Sequence, residues 1–138
     1  EKNYDILVQK VTESLSLVGL EDHIDKMPSA LSGGMRKRVA LARAMIARPK
    51  IILYDEPTAG LDPVSTGSID SLIMEMQKNY GITSVVITHD MKSAKTIADR
   101  IAFLRKGSVY FCGTPEEFEK STDPVIRNFV NGDPIAET

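Results

Sequence analysis

Asp55 and Glu56 are adjacent acids that close the apolar run Ile51-Ile52-Leu53-Tyr54 and stand just ahead of Pro57. In an extended strand their side chains leave on opposite faces, but where a strand ends the backbone turns and both can serve one site. One carboxylate can then hold Mg²⁺ while its neighbour orients and deprotonates a water that attacks a phosphate. In that division of labour Asp55 takes the metal and Glu56 the water. The plainer reading is that two acids end a strand before a proline turn, and the pair alone does not separate the two.

Leu31-Ser32-Gly33-Gly34-Met35 offers the complementary chemistry. Two glycines let backbone come close to a ligand, and a helix capped by Ser32 would point free N–H groups and its positive dipole end at an anion. The same residues also read as an ordinary turn and cap. Arg36, Lys37, Arg38 and Arg43 crowd that helix; taken alone, Arg36-Lys37-Arg38 reads as a solvated face rather than a phosphate grip. His89 stands between an apolar run and Asp90, where a histidine is either structural or catalytic. Asp62, ahead of Pro63, reads as a helix N-cap, a role compatible with a second one. His23 has no such setting and reads as a surface residue.

These residues need a scaffold, and its elements are legible. Leu7, Val11, Leu15 and Val18 recur at helical spacing ahead of Gly19, so the pattern predicts an amphipathic helix over 5–18. A polar stretch broken by Pro28 leads to the helix from Ser32 to about Ala47, which Pro49 ends. Lys50 to Tyr54 and Ile82 to Thr88 read as buried parallel strands, joined by a helix that starts at Asp62-Pro63 and buries Ile69, Leu72, Ile73 and Met76 up to Gly81. Asp90 caps a helix over Met91 to Ala98, and Arg100–Arg105 pairs with Ser108–Cys112 through Lys106-Gly107 as a hairpin. Thr114-Pro115-Glu116-Glu117 is a capping box, and Asp123-Pro124 opens a last helix ended by Asn131-Gly132. Alternating strands and helices predict an α/β layer around a mostly parallel sheet with helices on both faces, the hairpin forming its antiparallel edge.

The 138 residues, 42% hydrophobic and 26% charged, suit a globular domain. A net charge of −2 and a pI near 5.7 give no global attraction for nucleic acid or anionic lipid. The aliphatic clusters are far shorter than the roughly 20 residues of a membrane span, so any membrane role comes through a partner. The chain opens on Glu1 without a basic, apolar leader, which reads as a cut end with no secretory signal. A single cysteine, Cys112, in an apolar strand pattern suits a buried thiol in a reducing cytoplasm.

Read jointly and in order, Leu31–Met35, Ile51–Glu56, Ala59-Gly60-Leu61-Asp62 and His89 resemble the signature, Walker B, D-loop and switch-histidine motifs of ATP-binding-cassette (ABC) ATPases. The resemblance covers almost the whole chain. It implies a P-loop NTPase-like fold whose parts here are a helical lobe with the signature helix (1–48), a core segment with Walker B, D-loop and switch histidine (49–113), and C-terminal helices and tail (114–138). It implies ATP and Mg²⁺ as ligands, with Asp55 at the metal and Glu56 and His89 acting on the nucleotide of their own subunit. Ser32, Gly33 and Gly34 would cover the terminal phosphate held by a second such subunit in a head-to-tail homodimer, and Asp62 would communicate across that interface. Transport would be driven through a transmembrane permease, with the ATPase cytoplasmic and peripheral on the membrane.

The departures matter as well. G-x-x-x-x-G-K-[ST], the loop whose amides and lysine hold phosphates, does not occur in these residues, so this stretch alone is expected to be inactive. Met35 replaces the commoner glutamine, and no glutamine sits where the family's Q-loop would be. Within the family, the helix from Leu31 to Ala44 and the tail from Asp123 to Gly132 look most like phospholipid-transport subunits of the Mla and Mce-associated type, which implies a lipid-binding Mce protein and a STAS-domain protein as further partners. Two other classes compete: the C-terminal lobe of a DNA-repair or chromosome-organising ATPase, disfavoured by the lack of long heptads before residue 31 and by the acidic balance, and a non-catalytic module that lends its signature to a partner.

Overall fold

The computed structural model describes residues 2–134. The chain divides into two compact units, Glu1–Thr88 and His89–Thr138. The first contains α1 (Lys2–Ser16), single 3₁₀ turns at Glu21–His23 and Pro28–Ala30, α2 (Gly33–Met45), β1 (Ile51–Asp55), α3 (Pro63–Tyr80) and β2 (Thr83–Ile87). The second contains α4 (Met91–Ile97), the strands β3 (Ile101–Arg105) and β4 (Ser108–Gly113), α5 (Pro115–Glu119) and α6 (Pro124–Asn131). The fold is α/β, with parallel and antiparallel strands and flanking helices.

In the first unit β1 and β2 pair in parallel, Leu53 opposite Val85 and Asp55 opposite Ile87. Parallel strands need a crossover, and α3 supplies it, packing on α2 and β2. Asp62 starts α3 by accepting from the amides of Val64 (2.9 Å) and Ser65 (3.0 Å), Pro63 sits where no amide is needed, and Gly81, at φ 64°, takes the left-handed cap. Its inward stripe is the one predicted: Ile69, Leu72, Ile73 and Met76 are buried, together with Leu41, Ala42 and Met45 of α2 and Ile52 and Tyr54 of β1.

Two expectations change here. The strands are buried on one face only: Ile52 and Tyr54 point inward, whereas Ile51 and Leu53 are 60% and 75% exposed and Val85 and Ile87 49% and 59%. Alternation across the pleat puts those four on the face opposite α3's partners, and an unbroken aliphatic run hides that distinction. The first helix ends at Ser16, short of the expected 18, and burial along the predicted stripe is graded, from Leu7 at 57% exposed within α1 to Val18 at 1% in the turn that follows it. The predicted stripe is therefore half solvent-facing.

In the second unit β3 and β4 form the expected hairpin, antiparallel with a register shift between Phe103 and Leu104. It is a two-stranded sheet of its own, not hydrogen-bonded to β1 or β2, so the antiparallel-edge expectation is corrected. Its core is aromatic: the Phe103 ring lies 5.7 Å from Phe118 and 4.8 Å from Phe129, and Phe111 lies 5.2 Å from Phe118, which engages all four phenylalanines of the chain. Phe111 points to that cluster, so its neighbour Cys112 faces out; the thiol is exposed rather than buried, and it accepts from Arg100 at 3.3 Å. The Thr114 capping box and the Asp123 and Asp90 caps form as predicted.

Ile73 is 1% exposed and Val64 84%. In the full-length protein, Ile73→Ala should lower the unfolding free energy by about 2–5 kcal/mol, whereas Val64→Ala should stay within about 0.5 kcal/mol, as read by denaturant titration.

Candidate functional site

Asp55 is the last residue of β1, and its carboxylate is exposed at the strand's carboxyl end. The next residue reverses the chain: Glu56 adopts φ 46°, a left-handed conformation that costs a non-glycine residue on the order of 1 kcal/mol or more. Both of its backbone groups are held. Its N–H donates to the carbonyl of Ile87 at 2.9 Å, and its carbonyl accepts from the amide of Ala59 at 3.3 Å. The turn continues through Pro57 and Thr58, both buried. A straight strand would have sent Asp55 and Glu56 to opposite faces, and this turn removes that alternation.

Ser32 caps α2 by accepting from the Met35 amide at 3.2 Å, so Gly33 and Gly34 form its first helical positions. Neither glycine has a positive φ. A Cβ built on Gly33 would lie 3.5 Å from Leu61 Cδ2, and one on Gly34 3.6 Å from Ser65 Oγ, both ordinary contact distances. The packing of this chain therefore does not demand glycine at either position. The same distances bring the start of α2 beside the loop of Leu61 and Asp62. Asp62 is fully engaged as a cap; the Ser65 hydroxyl and the Ser65 and Val64 amides hold its carboxyl below the ordinary range.

The basic run after the glycines is only partly the solvated face expected: Arg36 is exposed and Lys37 and Arg38 half-buried, yet all three donate to backbone carbonyls of the unit. Arg36 donates to the carbonyl of Leu31 at 2.6 Å, and Arg38 donates to the carbonyl of Val18 at 3.1 Å and to the Ser68 hydroxyl. Lys37 reaches furthest, its Nζ 2.8 Å from the carbonyl oxygen of Glu56. Each tail is consumed by tying α2 to another segment of the unit. Sequence reading missed Lys37; the one signal was its spacing three residues after Gly34, which places both on one side of the helix. Arg43 is exposed.

Ser32, Gly33, Gly34, Asp55, Glu56 and Asp62 all belong to the first unit. His89 belongs to the second, where it is exposed and immediately precedes the Asp90 cap of α4. His23 is half-buried in a 3₁₀ turn, not on the surface as expected. Among the described residues no three acid, histidine or cysteine side chains converge as a metal cage. A lone exposed carboxylate at a strand end suits Mg²⁺, which keeps several waters and takes one or two protein carboxylates beside phosphate oxygens.

Residues 1–59 match the family model described as ABC transporter. The methionine import ATP-binding protein MetN 1 of Staphylococcus aureus is 43% identical over 132 residues, 95% of this chain and 39% of that protein. The structure of cbiO1 from Clostridium perfringens, part of the ABC transporter complex cbiONQ, superposes with a TM-score of 0.78 at 35% identity, covering 92% of this chain and 51% of that one. An ATP-binding cassette of an ABC transporter in its ADP conformation gives a TM-score of 0.81 at 28% identity, over 91% and 50% of the two chains. The chain is similar in sequence and fold to the nucleotide-binding domains of ABC transporters. It spans about two-fifths of the curated relative and half of the solved domains. The family match itself contains Ser32–Gly34, Asp55 and Glu56 and stops before Asp62 and His89.

Because neither Gly33 nor Gly34 is required by packing, Gly34→Ala in the full-length protein should melt at the wild-type temperature or slightly above, alanine being the better helix former. A loss of several degrees in a thermal melt would show that the glycine serves the fold itself.

Proposed function

We propose that the protein to which this chain belongs hydrolyses ATP and couples the reaction to membrane transport. The observation that carries the reading is the turn after β1, where a metal-suited carboxylate and a backbone-anchored acid follow one another at the carboxyl end of a parallel strand pair, the usual location of ligand sites in such sheets. Glu56 accepts a proton from the water that attacks the terminal phosphorus of ATP, releasing ADP and phosphate. Asp55 would hold Mg²⁺, directly or through water, and that cation would supply charge neutralisation at the phosphates. His89 acts on the same nucleotide. Ser32, Gly33 and Gly34 offer open amides and a helix N-terminus to the terminal phosphate of a second copy, and Asp62 carries the state of one site to the other. In these terms residues 1–48 are helical lobe, 49–113 core and 114–138 C-terminal helices and tail.

A homodimer of such subunits acts on the cytoplasmic face of a membrane through a permease; no helix among the described residues is long and apolar enough to cross one. For cargo we infer phospholipid, supported by the similarity of Leu31–Ala44 and Asp123–Gly132 to Mla and Mce-type subunits, which brings an Mce lipid-binding protein and a STAS-domain protein as partners. The staphylococcal relative named for methionine import supplies the competing cargo.

Glu56→Gln in the full-length protein should abolish steady-state hydrolysis while preserving ATP binding, since the amide keeps the shape and loses the base. Near-normal phosphate release by that variant would sink the assignment. In proteoliposomes carrying the subunit and its permease, ATP should drive transfer of a labelled phospholipid and not uptake of labelled methionine; the reverse pattern would reassign the cargo.

A further inference from the structure

From its geometry we propose that Lys37 is a positioning residue for Glu56: its ammonium, on the helix that opens with the signature glycines, holds the acid's backbone in the left-handed turn that hydrolysis requires. The inference rests on the reading of Glu56 as the base. Glu56 is one of three non-glycine residues with positive φ among those described; the others are Arg48, after the end of α2, and Lys106, in the β3–β4 turn. A strained conformation persists only where its surroundings over-determine it. Around Glu56 those surroundings are the Ile87 carbonyl on its N–H at 2.9 Å, and Ala59 N–H and Lys37 Nζ on its carbonyl at 3.3 and 2.8 Å. The Ile87 bond ties the residue to β2 and the Ala59 bond is local to the turn. Lys37 alone of the three brings in α2.

A lysine is well suited to the task. The contact is half-buried, where a charge-assisted bond to a carbonyl is stronger and less screened than on an open surface. The long stem spans from helix to strand end, and the ammonium can meet the carbonyl without a fixed approach angle. The arrangement also has a consequence for the two half-sites. Ser32 to Gly34 lie one turn before Lys37 on the same rigid helix, so the element that would engage a second copy's phosphate is bonded directly to the backbone of this copy's base.

The test uses full-length protein with three variants, Lys37→Met, Lys37→Arg and Glu56→Gln. Lys37→Met keeps the stem and removes the donor; it should lower kcat by at least about tenfold with the ATP KM within about twofold, because the interaction matters in the transition state and not in nucleotide binding. Lys37→Arg, which retains a long cationic donor, should recover most of the turnover. Amide hydrogen exchange should accelerate at Glu56 and Ala59 in Lys37→Met while Ile69 to Met76 in α3 stay protected, separating a local loosening from general instability. Wild-type kcat in Lys37→Met, or loss of turnover in step with a rising KM and with faster exchange throughout α3, overturns the proposal. If Glu56→Gln abolishes hydrolysis while Lys37→Met turns over normally, the proposal alone fails; if Glu56→Gln retains hydrolysis, the reading of the base fails and takes the proposal with it.

Discussion

The candidate site depends on the fixing of one backbone turn. At the end of β1 the chain must leave the strand at once, because one more extended residue would point Glu56 away from the side that Asp55 serves. A left-handed residue accomplishes the reversal, and the bonds to Ile87 and Lys37 make it tolerable. The first of these exists only because β1 and β2 are paired in the register that sets Asp55 opposite Ile87. That register is in turn held by the inward residues Ile52 and Tyr54, since a slip by one position would turn them to solvent.

Around the turn, α2 and α3 form a frame that polar tails lock. Arg38 reaches back to the end of the α1 turn at Val18 and across to Ser68 in α3, and Arg36 closes onto Leu31 just before the cap. The bonds are part-buried and charge-assisted, so each fixes a relative placement as well as contributing attraction. The result is that the loop before α2, the loop before α3 and the end of β1 are neighbours within one unit. Gly33 faces Leu61, and Gly34 faces Ser65.

The second unit is held by different means. Its parallel-strand chemistry is absent; instead four phenylalanines gather between a hairpin and two short helices, with cap residues starting every helix. Helices of this length are marginal alone, so their stability comes from the aromatic cluster and from caps that satisfy first-turn amides.

By itself the sequence determined the elements and the motif residues. Caps such as Ser32, Asp62, Asp90, Thr114 and Asp123 act within four residues of themselves, and the α3 stripe follows from helical period alone, so local rules sufficed for both. Resemblance of the short motifs named the family that the comparisons with known proteins support. Only tertiary structure decided which face of the strands is covered, that the hairpin forms its own sheet, that Cys112 faces outward and that Lys37 and Arg38 reach carbonyls of other segments. Each of these depends on partners far along the chain. A lysine at the fifth position of a helix carries no mark of the carbonyl nineteen residues away that will accept from it, and the bond exists only once the fold has brought α2 to the turn after β1.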